Sequence, residues 1–117
     1  MRRLPGPLTL GEEDRRVLAA WAADCAERVL PIFELAAPKD TRPRDAIEGV
    51  RAFARGEMRI GTVRNLSAKA HAAARDVEVP SATAAARAAG YAAGVAHMPR
   101  TFEELFTLRL PLVWKIQ

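Results

Sequence analysis

Apolar and polar positions follow a helical period through most of the chain. Thr9 and Glu12 have the spacing of a capping box, which marks a helix start. From there to about Leu30, Leu18, Trp21, Cys25 and Val29 recur along one stripe flanked by Val17 and Ala22. Asp14, Arg15, Glu27 and Arg28 fall mostly off it. This stripe is the expected core face of a first amphipathic helix. Pro31 should end or kink that helix, because proline lacks an N–H and clashes with the preceding turn. Ile32, Phe33 and Leu35 are apolar enough to continue into the core, and 37–41 reads as a loop.

Thr41-Arg42-Pro43 opens a second helix, with proline in the first turn where its missing N–H costs nothing. Ile47, Val50 and Phe53, with Ala46 and Ala54, form its apolar face, and Gly56 marks a break or a C′ cap. A third helix is expected from about Glu57 to Arg75 despite Gly61, burying Ile60, Val63, Leu66, Ala70 and Ala74. Residues 77–80 form a turn, and a fourth helix runs from Ala82 to about His97. The third and fourth helices are rich in alanine and glycine. They are helical by propensity and able to approach closely, with Tyr91 and Val95 as the expected anchors. Thr101-Phe102-Glu103-Glu104 is a second capping box and could start a fifth helix before Pro111. Residues 112–117 then form an apolar tail able to pack on the core, add a strand or dock on a second copy, making a homodimer. The pattern predicts an all-α, compact bundle of four to five helices. It is expected to be a single domain over 1–117, with core helices at about 10–98 and a divergent segment at 99–117.

Composition changes this picture little. The 117 residues, 50% hydrophobic and 27% charged, suit one folded core. The net charge of +4 arises entirely after residue 58, from Arg59, Arg64, Lys69, Arg75, Arg87, Arg100, Arg109 and Lys115 against four carboxylates. These cations are scattered rather than set in an aromatic-bearing stripe, so nucleic acid is not an expected partner. The single cysteine, Cys25, excludes a disulfide within the chain and, lying on the apolar stripe, reads as a small buried hydrophobe. No apolar run approaches the roughly 20 residues that span a bilayer. Arg2-Arg3 is not followed by the rest of an export signal. The expected setting is cytoplasmic, away from membrane.

The candidate chemistry is sparse. His71, His97 and Cys25 have no HExxH, CxxC or paired-histidine spacing. In an antiparallel hairpin, His71 would lie across from about Ala86 and His97 across from about Ile60, some ~16 Å apart at 1.5 Å per residue, so no metal and no cofactor are expected. Glu57, one turn from Ile60, could instead face His97 and raise its pKa. Ser67 and Ser81 have no evident base, and no phosphate loop is present, so no catalysis is expected.

Five stretches carry a family resemblance: 18–31 (LAAWAADCAERVLP), 42–48 (RPRDAIE), 55–57 (RGE), 70–75 (AHAAAR) and 88–98 (AAGYAAGVAHM). Over roughly residues 8 to 98 the chain resembles the Imm-5-like immunity proteins of bacterial polymorphic toxin systems. The resemblance implies an all-helical protein that binds and neutralises a cognate toxin without catalysis. Asp24, Glu27, Arg28, Glu57, His71 and His97 are the residues on which those stretches centre, as partner contacts or as polar core. Beyond Met98 the sequence departs from the family's expected small-residue helix. Two other functions fit the residues: a ligand-binding protein or enzyme with a polar inter-helix pocket, and a self-associating structural domain.

Overall fold

The computed structural model describes residues 11–96, which form four helices: α1 (Glu12–Ala36), α2 (Arg42–Ala54), α3 (Ile60–Arg75) and α4 (Pro80–Ala96). No strand occurs among the described residues, and the all-α bundle read from the periodicity is the observed architecture. The fifth helix, the apolar tail with its dimer contact, and His97 lie outside the described residues.

Helices α2 and α4 each pack against the other three, whereas α1 and α3 do not touch. α4 therefore lies between α1 and α3 on one side of the bundle, with α2 closing the other. α4 runs antiparallel to α1: Phe33 of α1 packs with Ala82, Ala85 and Ala86, and Ala19 and Ala23 share a cluster with Ala93 and Ala96. The buried face of α4 consists entirely of alanine and glycine. Such a helix can meet three neighbours only by bringing backbones close, since no long side chain fills the gaps.

That constraint sets the rotation of α1. The helix carries two apolar stripes, and the one it buries is Ala19, Ala23, Ala26, Leu30 and Phe33. Leu18, Trp21 and Cys25, expected in the core, are exposed (Trp21 by 66%), and Val29 is only partly buried. Small residues on α1 match the small residues of α4, and the bulky stripe is turned out. Arg15 continues the buried line, 6% exposed, and its Nε has no hydrogen-bond partner.

The helix ends follow local chemistry. Pro31 sits inside α1 instead of ending it. Its ring is on the solvent side, while Leu30 and Phe33 on either side of it are fully buried and hold the last turns in place. Three carboxylates, Glu12, Glu13 and Asp14, occupy the first turn, where they meet the positive end of the helix dipole. α2 ends in a Schellman motif: Gly56 has φ of 78°, its N–H donates to the Phe53 carbonyl (2.9 Å), and the Glu57 N–H donates to the Ala52 carbonyl (2.8 Å). Because Glu57 closes α2 in this way, α3 begins at Ile60 and not at Glu57. The faces read for α2 and α3 hold: Ala46, Ile47, Val50 and Phe53 are buried, as are Val63, Ala70 and Ala74, with Leu66 and Ile60 partly so. Ala54 is only partly buried. Tyr91, expected as a packing anchor, is 63% exposed.

Ala89 and Ala93 are fully buried. Replacing either by Leu should overpack the α4 contacts and cost about 1–3 kcal/mol, a drop in Tm of roughly 4–8 °C per kcal/mol for a domain of this size. Trp21→Ala should stay within about 0.5 kcal/mol of the parent, as surface substitutions do. Thermal unfolding followed by circular dichroism distinguishes the two classes.

Candidate interaction site

The residues singled out from the sequence divide between opposite seams of the bundle. On the α1–α2 seam, Arg51 of α2 reaches across to α1. Its Nη1 donates to Glu27 Oε1 (2.6 Å) and its Nη2 to Asp24 Oδ1 (3.0 Å), and Glu48 stands 3.6 Å from Nη1. Two turns away, Arg44 grips Glu34 through Nε (2.6 Å) and Nη2 (2.8 Å), a bidentate pair across the same seam. Arg51 and Arg44 hold Glu27 and Glu34, respectively, below the usual carboxylate range. Asp24 and Glu27 are thus committed to tying α1 to α2. Arg28, on the exposed side of α1 near Trp21, makes no ion pair among the described residues.

Arg42 performs a similar task at one end of the bundle. It donates from Nε and Nη2 to Asp40 (2.9 and 2.7 Å) and from Nη2 to Asp76 (2.7 Å), joining the α1–α2 loop to the end of α3. Glu57 is exposed and accepts from Arg55 Nε at 3.0 Å.

His71 belongs to the other seam, between α3 and α4. Its ring lies against Gly90: a Cβ on that glycine would sit 2.6 Å from the ring's Cε1 and Nε2. The ring meets Tyr91 edge-on with centroids 4.8 Å apart. Arg87 Nη1 is 3.4 Å from His71 Nδ1, an arrangement that fits a neutral ring carrying its proton on Nε2. Burial, reinforced by the nearby Arg87 and Arg75, pushes the His71 pKa down. One turn earlier, the Ser67 hydroxyl donates to the Gly90 carbonyl (2.8 Å) in the buried interior. Ser67, Gly90, Arg87 and Tyr91 complete this seam. The sequence pointed to Tyr91, as an expected anchor, and to the glycines placed inside an alanine-rich helix, but not to the contacts that Ser67 and Arg87 make here.

The carboxylates and the histidine are therefore not brought together in one pocket. Among the described residues no three His, Cys, Asp or Glu side chains form a metal-ligating group, and no helix there is long and apolar enough to cross a membrane. What the described surface offers instead is an uncovered apolar stripe on α1: Val17, Leu18, Trp21, Ile32 and Leu35, the last 87% exposed. Apolar exposure that runs along one face marks a contact surface far more often than isolated exposed residues do.

Two pH predictions follow. Glu27 and Glu34 have folded pKa values below their unfolded ones, so their contribution is present above the unfolded carboxylate pKa and lost as pH falls through the folded value. Stability should decline in the acid range below the ordinary carboxylate value of 4.5, and Arg51→Met should flatten that decline in urea titrations at stepped pH. For His71, NMR should show titration below the ordinary value of 6.5. Arg87→Ala should move it part of the way back, because burial, the larger cause, remains. Titration at the ordinary value in the parent would contradict the seated ring.

The family model described as "Imm-5 like putative immunity protein" matches residues 8–102 of the chain. No curated protein and no solved structure matches it.

Proposed function

Since the chain belongs to the Imm-5-like immunity protein family, we propose that it binds a cognate bacterial toxin and neutralises it by contact, without chemistry of its own. The family match over 8–102 is the observation that carries this reading. The uncovered Trp21 stripe on α1 supports it, because a binding protein needs apolar and aromatic anchors standing free of its own core. The interface would bury ~1,600 Å² in total and depend on a few such anchors. In this reading Trp21, Leu18 and Arg28 contact the toxin, while Asp24 and Glu27 act indirectly, by fixing α1 on α2. The protein acts in the cytoplasm of the toxin-producing cell as a single domain over 1–117, within a polymorphic toxin–immunity pair. In the same reading His97 is a further partner contact and the apolar tail a homodimer contact.

Co-expression with the toxin gene from the neighbouring locus tests the proposal. Full growth with the parent chain and loss of growth without it are expected. Trp21→Asp should leave Tm unchanged yet weaken toxin binding by at least tenfold in calorimetry, the cost of about 1.4 kcal/mol or more at an anchor. Growth arrest despite abundant folded protein would refute the immunity reading.

A further inference from the structure

Ion pairing is distributed unevenly between the two halves of the bundle. Every ion pair among the described residues involves an arginine from α1, α2 or their connections: Arg16, Arg42, Arg44, Arg51 or Arg55. Helices α3 and α4 contain Arg64, Lys69, Arg75 and Arg87 and no Asp or Glu. None of these four cations makes an ion pair among the described residues. The nearest carboxylates along the chain are Glu57, held by Arg55 ahead of α3, and Asp76, held by Arg42, with Glu78 in the turn beyond the end of α3.

Three of the charged or titratable groups fall on one line. Arg64, His71 and Arg75 stand at i, i+7 and i+11 on α3, a spacing that keeps them on a single flank over about 16 Å. His71 fixes which flank this is, because its ring lies on Gly90 of α4. Arg87 and Tyr91 face the same groove from α4, one turn apart. Lys69 lies round the helix, away from it. The surface between the cations is flat, since Ala68 and Ala84 are exposed and a Cβ at Gly94 would meet open space. Tyr91 rises from this floor 63% exposed, while its edge-on contact with the His71 ring limits its rotamers.

We propose that the α3–α4 seam, with Tyr91 as anchor and Arg64, Arg75 and Arg87 around it, docks a protein surface bearing clustered carboxylates. The inference rests on the toxin-binding reading above and specifies the chemistry of the partner. Charge complementarity argues for it: cations that make no ion pair among the described residues can meet carboxylates without first breaking one of those pairs. A rigid tyrosine beside arginines on a flat floor is the side-chain set that dominates protein–protein hot spots. The cations are too few and too widely spaced to track a nucleic-acid backbone, which requires a continuous row of phosphate contacts.

The binding test uses the full chain and needs no toxin, and the same variants then go into the toxin co-expression. Isotope-labelled protein at low salt is titrated with a ten-residue polyglutamate peptide, a polylysine peptide and a ten-nucleotide DNA strand. Polyglutamate should shift the signals of Arg64, His71, Arg75, Arg87 and Tyr91 and release them as salt is raised. The double substitution Arg75→Glu/Arg87→Glu should weaken polyglutamate at least tenfold. Lys69→Glu should weaken it far less, and Tyr91→Ala supplies an independent check should the double variant fold poorly. Shifts confined to other faces, no shift at all, or tighter binding of DNA at this seam would overturn the proposal. Seam binding without rescue in co-expression would sink the immunity reading and leave the acidic-partner seam standing. Rescue that survives the Glu substitutions and Tyr91→Ala would sink the seam alone.

Discussion

The bundle depends on the close approach of α4 to its three neighbours. A helix whose buried face is only alanine and glycine gains stability from backbone proximity, not from large side chains filling a core. Much of what packs on it presents small groups in turn: Ala19, Ala23 and Ala26 on α1, and Ala70, Ala73 and Ala74 on α3. The larger core residues, Ile47, Val50 and Phe53 on α2 and Leu30 and Phe33 on α1, complete the volume, with Phe33 packed among Ala82, Ala85 and Ala86. The arginine clamps Arg44 and Arg51 then fix α2 against α1 from the outside. At the surface they contribute more to relative orientation than to net stability.

The helices themselves were legible because their local signals agree. Gly56 with φ of 78° forms the cap its position suggests, Pro43 lies in a first turn, and the α2 and α3 faces bury the residues their spacing marks. The rotation of α1 was not legible. Two apolar stripes share that helix, and hydropathy favours the one with Leu18, Trp21 and Val29, while the fit to α4 favours the one with alanines. Only the identity of the neighbour decides, and a linear pattern does not carry it. Pro31 is a related case. Tertiary burial of Leu30 and Phe33 on both sides outweighs the loss of one helical hydrogen bond.

The candidate site was legible in part. Asp24, Glu27 and His71 stand out in the sequence as polar residues within apolar, alanine-rich stretches, but the groups they meet lie far away along the chain: Arg51 for the first two, Gly90 and Arg87 for the third. The family model ties the chain to immunity proteins, and the fold adds a division of labour within it. Among the described residues, Asp24, Glu27 and Glu34 are tied up internally on the α1–α2 side, an apolar stripe stands exposed on α1, and the cations of α3 and α4 make no ion pair.

The seat of His71 has a consequence for how this sequence can drift. The imidazole fills the volume that a side chain at position 90 would take, so the two positions cannot both carry bulk at the present helix spacing. Enlarging residue 90 forces the ring at 71 to swing aside or shrink, and either change disturbs the edge against which Tyr91 rests. One glycine thus couples the distance between two helices to the stiffness of an exposed tyrosine. Substitutions at 71, 90 and 91 should accumulate as linked sets rather than singly.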